Sequence, residues 1–139
     1  MPEREGFKHI TAYLCVNGAS DAIKFYRKAF GATERYRIDD PSGRIGHAEL
    51  KIGETAVYLS DEWPEMSVLS PKTLKGSSVS FVLEVADVDS AFQRALDAGA
   101  TIERPITTAP YGRGGWLFDP YGHRWNIMTG NPDFKPQDM

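Results

Sequence analysis

Residues 9–16, HITAYLCV, alternate between two sets. Ile10, Ala12, Leu14 and Val16 form the apolar one. A period of two is the mark of a strand with one covered face. The period then lengthens. Ala22, Phe25, Tyr26, Ala29 and Phe30 recur at helical spacing, with Asn17 as the expected first cap and Gly31 as the stop. Three extended runs follow near 33–39, 45–52 and 55–60, separated by the turns DDPSGR and GE. The order then repeats. A strand is expected over Ser78–Ala86, and a helix between Asp87 and Gly99 with Val88, Ala91, Phe92, Ala95 and Leu96 on one face. Shorter strands are expected near 101–108, 114–118 and 123–129.

The two halves also share residues. Leu14 and Val16 match Leu83 and Val85 at an offset of 69 (83 − 14), as do Gly53 and Gly122, while GAT at 31–33 matches GAT at 99–101 at 68. This order of matches points to a duplicated strand–helix–strand–strand–strand unit. The first module is expected over about 8–61 and the second over about 78–130, together forming one domain. Residues 62–77 hold two prolines and little periodicity, and read as a linker in which Trp63 and Met66 cover a pocket. The tail, 131–139, is expected to fray.

Alternation also assigns faces. A sheet backed by a helix turns its apolar side toward it. Ile10, Ala12, Leu14, Val16, Ala48, Leu50, Ile52, Val57 and Leu59 are expected to be covered in the first module, and Val79, Phe81, Leu83, Val85, Trp125 and Ile127 in the second. The uncovered faces then carry Thr11, Tyr13, His47, Glu49, Tyr58, Ser80, Arg124 and Asn126. Two tyrosines among polar groups suit the lining of a small-molecule pocket better than a solvated surface. Trp116 is expected to add an aromatic wall. His123 has the opposite parity and reads as a turn or packing residue. The glycines of GRGG, 112–115, precede a strand without the helix and lysine of a phosphate loop, so a bulge or a close backbone approach is expected.

Charge narrows the partners. A net charge of −3, with lysines and arginines scattered among acids, argues against nucleic acid. No apolar run is long enough to cross a membrane, and MPEREGFKHI lacks the apolar core of a signal peptide. The lone Cys15, flanked by Leu14 and Val16, reads as an inert buried thiol, and a reducing cytoplasm is expected.

AIKFYRKAFGA (22–32), RIGHAELKIGE (44–54), VADVDSAFQRALDAGAT (85–101) and DPYGHRW (119–125) together resemble the vicinal oxygen chelate superfamily of glyoxalases, bleomycin-resistance proteins and extradiol dioxygenases. Within it the sequence is most similar to the PhnB-like branch. The resemblance implies an α+β fold of two βαβββ modules, whose U-shaped mixed sheets enclose a cleft with helices on the outer face. It also implies a homodimer in which the enclosing modules can come from different chains. Metal-dependent members hold a divalent ion with His and Glu from the first and last strands of each module. Those positions fall here on Thr11, Ser80, Tyr58 (or its neighbours Val57 and Leu59) and Asn126. Alcohols, a phenol and an amide hold transition metals poorly, so no divalent metal is expected.

Two functions follow. The first is a metal-free small-molecule-binding protein of the bleomycin-resistance type. Its cleft is lined by Thr11, Tyr13, His47, Glu49, Tyr58, Ser80, Trp116, Arg124 and Asn126, and drug or metabolite sequestration is its use. The alternative is a lyase, isomerase or transferase. It would use an atypical metal site, or His47 and Glu49 as metal-free acid and base.

Overall fold

The computed structural model describes residues 6–138. Strand β1 (Ala12–Val16) leads to helix α1 (Ala19–Phe30) and then to β2 (Thr33–Asp39), β3 (Ile45–Ile52) and β4 (Thr55–Asp61). The second module repeats this with β5 (Ser80–Glu84), a helix at Val88–Ala98, β6 (Thr101–Ala109), β7 (Gly112–Phe118) and β8 (Arg124–Gly130). Between them, Pro71–Leu74 forms a single-turn helix, α2, which makes the Val88–Ala98 helix α3. Each module is one four-stranded mixed sheet, ordered β1-β4-β3-β2 and β5-β8-β7-β6. In each, the first and last strands run parallel and the other neighbours antiparallel. This is the expected pair of βαβββ modules.

The strand assignments overreach at the two first strands. Ile10 and Val79 were expected to be covered, yet they are 98% and 54% exposed. Ladder register gives the reason. Ala12 pairs with Val57 and Ser80 with Arg124, so Ile10 and Val79 lie beyond the last rung, level with the β3–β4 and β7–β8 turns. Without a ladder partner the alternating pattern has no sheet to follow. The other apolar positions behave as their parity predicts. Leu14, Val16, Ala48, Leu50, Val57, Leu59, Trp125 and Ile127 are buried, and Phe81, Leu83 and Val85 are half-buried against the same core.

Helix α1 presents an unusually wide buried face, Ala19, Ala22, Ile23, Phe25, Tyr26 and Ala29, because it meets both its own sheet and the second module. Its Phe30 ring lies 4.7 Å from that of Trp125. The two helices pack on each other, and one core joins the modules. The cap of α1 differs from the expected Asn17. Gly18, with φ of 99°, occupies that position, and the carboxylate of Asp61 accepts from the backbone N–H groups of Gly18 (3.1 Å) and Ala19 (2.8 Å). A remote aspartate thus replaces the local cap, and its other oxygen accepts from Ile45 N–H at 2.7 Å. Asp87 does cap α3, through Ser90 N–H, and Gly31 and Gly99 end the helices.

The β7–β8 turn fixes the modules together. Asp119 is buried, with one oxygen accepting from the Tyr26 hydroxyl (2.5 Å) and Trp125 Nε1 (2.9 Å), the other from the N–H groups of Tyr121 and His123. His123 is buried and its Nε2 lies 2.9 Å from the Cys15 carbonyl oxygen, in keeping with a packing role. The tail holds more order than expected. Asn131 N–H donates to the Tyr111 carbonyl, and Phe134 meets Tyr111 edge to face. Among the described residues no helix is long and apolar enough to cross a membrane.

Candidate functional site

Strands β1, β3 and β4 place four of the expected residues on one surface. Tyr13 and Tyr58 are direct partners in the β1–β4 ladder, and Glu49 is the partner of Tyr58 across β3–β4. His47 stands two residues before Glu49, on the same side. Its Nδ1 is 2.6 Å from the Tyr13 hydroxyl and its Nε2 is 3.0 Å from Glu49 Oε2. The Tyr36 hydroxyl donates to the same Glu49 oxygen at 2.7 Å, and Arg35 lies 3.6 Å from the other. The Tyr58 ring packs edge-on against both His47 and Tyr13. Donation from His47, then from Tyr36, and the nearby Arg35 charge hold the Glu49 carboxyl below its usual range. Burial, followed by the Glu49 charge, pushes the Tyr13 phenol up.

Next to this cluster lies a cavity of about 500 Å³ lined by Tyr13, Leu14, Cys15, Gly46, Ser60, Trp63, Met66 and Val68. Its roof is the segment after β4, which is not an unstructured linker. Trp63 and Val68 form a β-bridge around a single turn at Pro64–Met66, and the Arg44 guanidinium lies 3.7 Å above the Trp63 ring. Glu62 anchors the next stretch through Ser70 N–H and the Thr73 hydroxyl. Cys15 faces this space as a neutral thiol. Burial, with Glu62 and Asp61 nearby, pushes it up to about 11, so it is a poor nucleophile.

Ser80, Trp116, Arg124 and Asn126 form a second, separate group on the other sheet. Arg124 donates to Glu103 (2.8 Å) and to the Ser80 hydroxyl (3.1 Å), and covers the Trp116 ring at 3.7 Å. Asn126 donates through Nδ2 to the Gly115 carbonyl at 3.0 Å. Thr11 lies one residue before β1, outside the ladder. The side-chain hydrogen bonds that join the modules run from Tyr26 to Asp119, from Arg94 to the Lys28 and Arg27 carbonyls, and from His123 to the Cys15 carbonyl.

Tyr36 and Gly46 belong to the site and carried no expectation. A register shift between Glu34 and Tyr36 breaks the alternation in β2, so parity could not place the tyrosine. The GRGG glycines serve packing. A Cβ on Gly115 would stand 2.8 Å from the Phe92 ring, and one on Gly114 2.7 Å from Met128 Cβ.

Two sheets that each carry a helix on one face and an uncovered mixed lining on the other define a paired-module, cleft-forming class of protein. The chain belongs to the Glyoxalase/Bleomycin resistance protein/Dioxygenase superfamily, whose description matches residues 6–127. An uncharacterised protein of Mycobacterium bovis is 41% identical over 122 residues, covering 85% of this chain and 80% of its own length. The crystal structure of an Arabidopsis thaliana gene product is similar with a TM-score of 0.67 at 25% identity, covering 88% of this chain and 98% of that one. A fosfomycin resistance protein of Listeria monocytogenes shares the fold with a TM-score of 0.71 at 15% identity, over 91% and 95% of the two chains.

The metal of the superfamily's enzymes can be tested against the residues present. Thr11, Tyr58, Ser80 and Asn126 offer only neutral oxygens, Asn126 through Oδ1 while its Nδ2 donates to the Gly115 carbonyl. Among the described residues no three His, Cys, Asp or Glu side chains converge as a ligand set. His47 and Glu49 are adjacent but hydrogen-bonded to each other. This donor set does not fit a divalent transition metal.

Proposed function

We propose that the chain is a small-molecule-binding protein that works without a resident metal, and that its ligand occupies the cavity between β1 and the 63–68 turn. The observation that carries this reading is the cavity itself. Its volume is within the range of ligand pockets, its walls are aromatic and apolar, and one polar cluster stands at one end. Trp63 and Tyr13 offer flat faces for stacking. The motifs at 22–32 and 85–101 favour the PhnB-like branch within the superfamily. A second copy of the chain is the natural cover for the two uncovered sheet faces, with the enclosing modules drawn from different chains. Tyr13 and Val82, 54% and 61% exposed, are large for open surface and support it. A cytoplasmic location accords with the neutral thiol.

Titration with a series of planar aromatic compounds, read by Trp fluorescence, tests the binding reading. Saturable quenching that is lost in Trp63→Phe, with Trp116 and Trp125 intact, is the expected result. No saturable change across the series overturns it. Metal analysis after dialysis against a chelator tests the other half. Less than about 0.1 ion per chain is expected, and a stoichiometric ion surviving dialysis overturns it.

A second reading, a lyase, isomerase or transferase, is favoured by one observation: the continuous hydrogen-bonded path from Tyr13 through His47 to Glu49. Conversion of a bound compound that is unaffected by His47→Ala and Glu49→Gln refutes this acid–base version.

A further inference from the structure

We propose that Tyr13, His47 and Glu49 form a proton relay whose working end is the Tyr13 hydroxyl, acting as general base toward the acidic hydroxyl of a phenol-class ligand in the adjacent cavity. The inference rests on the binding reading above and names its ligand class.

The hydrogen positions follow from acceptor chemistry. A carboxylate only accepts, so His47 Nε2, 3.0 Å from Glu49, carries a hydrogen. With the ring neutral in the resting state of the relay, Nδ1 is bare and Tyr13 at 2.6 Å donates to it. Glu49 is held in place by Tyr36 and Arg35 from β2, while Tyr58 from β4 packs on the imidazole. Glu49 is therefore a positioning residue that fixes the tautomer, as a carboxylate does for a catalytic histidine. Tyr13's own proton points away along this path, and its oxygen lone pairs remain to accept from a ligand.

Tyr13 and Gly46 both line the cavity, and the Tyr13 hydroxyl lies 3.4 Å from the Gly46 carbonyl oxygen, so the phenol tip stands at the cavity's edge. The rest of the lining supplies apolar walls from Leu14, Trp63, Met66 and Val68, and none of it is charged. A flat apolar body with one acidic O–H fits this space. A cation would find no carboxylate along its wall.

The step balances. The ligand O–H proton moves to the Tyr13 oxygen while the Tyr13 proton moves to His47 Nδ1. The O–H electron pair stays on the ligand, which becomes a phenolate. The products are a phenolate accepting from Tyr13 O–H and an imidazolium held between Tyr13 and Glu49.

The test uses 4-nitrophenol, whose phenol and phenolate forms absorb at different wavelengths, with binding read separately by Trp63 quenching. In the wild type the bound probe's pKa is expected to fall by about one unit or more, the size of shift a charged neighbour produces. Tyr13→Phe keeps the ring contacts with His47 and Tyr58, 5.3 and 5.7 Å between centroids. It is expected to bind the probe more weakly and to return its ionisation to the solution value. Glu49→Gln is expected to fall between the two. Quenching with ionisation like the free probe's overturns the relay and leaves the binding reading standing. An equal shift in Tyr13→Phe also overturns it. No saturable quenching by 4-nitrophenol overturns the phenol assignment, and quenching by other planar compounds then decides the binding reading.

Discussion

Replacing Tyr26 by phenylalanine removes one oxygen from a buried contact between the modules. Tyr26 is fully buried and Asp119 is 3% exposed. The bond between them, 2.5 Å long, joins a phenol to a group whose four partners are all donors. Hydrogen bonds to a charged acceptor are worth about 1.5–3 kcal/mol. The ring itself stays, with its stack on Phe30 and its contact with Trp125, each 6.0 Å between centroids. Asp119 keeps three donors and is not stranded, so Tyr26→Phe is expected to cost about 1.5–2 kcal/mol. Asp119→Ala is different in kind. It leaves the Tyr26 hydroxyl, Trp125 Nε1 and His123 N–H without an acceptor, at about 1–3 kcal/mol for each buried donor. The expected loss is roughly 3–5 kcal/mol, near the top of what single substitutions do. Urea denaturation followed by circular dichroism measures both, and the double variant should be less destabilised than the sum by about 1 kcal/mol or more. A Tyr26→Phe protein within about 0.5 kcal/mol of wild type would refute the assignment of this bond as a stabilising link.

Asp61→Ala should destabilise by about 1–2 kcal/mol, the range of a lost helix cap, with Asn17→Ala near neutral, because Asp61 rather than Asn17 caps α1. Thermal melts of the two variants would separate these readings. Gly115→Ala should cost about 1–3 kcal/mol by overpacking against Phe92, measured by the same melts, and a neutral result would contradict the close approach. Cys15 should react slowly with a thiol-directed disulfide reagent near pH 7.5 and fast once unfolded, since its thiol is pushed up to about 11. The Glu34 carboxyl is held below its usual range by Arg37. Its contribution is full above the ordinary glutamate pKa and is lost as pH falls through the lower folded value. Arg37→Gln should therefore destabilise most near neutral pH, and the difference should shrink in acid.

The fold was legible because most of its signals are local. Period-two and period-3.6 patterns located the two long helices and all eight strands, but not the single turn α2, and register explains where they overran, at Ile10 and Val79. His47 and Glu49 were placed on one face by spacing alone, and Tyr13 and Tyr58 by the same argument on other strands. Long-range facts were not available that way. Asp61 reaching α1, Asp119 reaching Tyr26, and the Tyr13 hydroxyl reaching His47 all depend on three-dimensional neighbours. Tyr36 was hidden by a bulge, which reverses the side a residue faces without changing the sequence pattern. The grouping of Arg124 with Glu103 and Trp116 required a cross-strand partner on β6 that alternation does not supply.

The Tyr26–Asp119 bond has no mirror image. At the repeat offset of 69, the counterpart of Tyr26 is Ala95 (26 + 69) and that of Asp119 is Leu50 (119 − 69), both fully buried. Donor and acceptor therefore sit on opposite halves of a duplicated chain, in one direction only. Two copies of the first half would bury a hydroxyl with no acceptor, and two copies of the second a carboxylate short of a donor. The halves have become a matched pair, each fit to recognise the other but not itself.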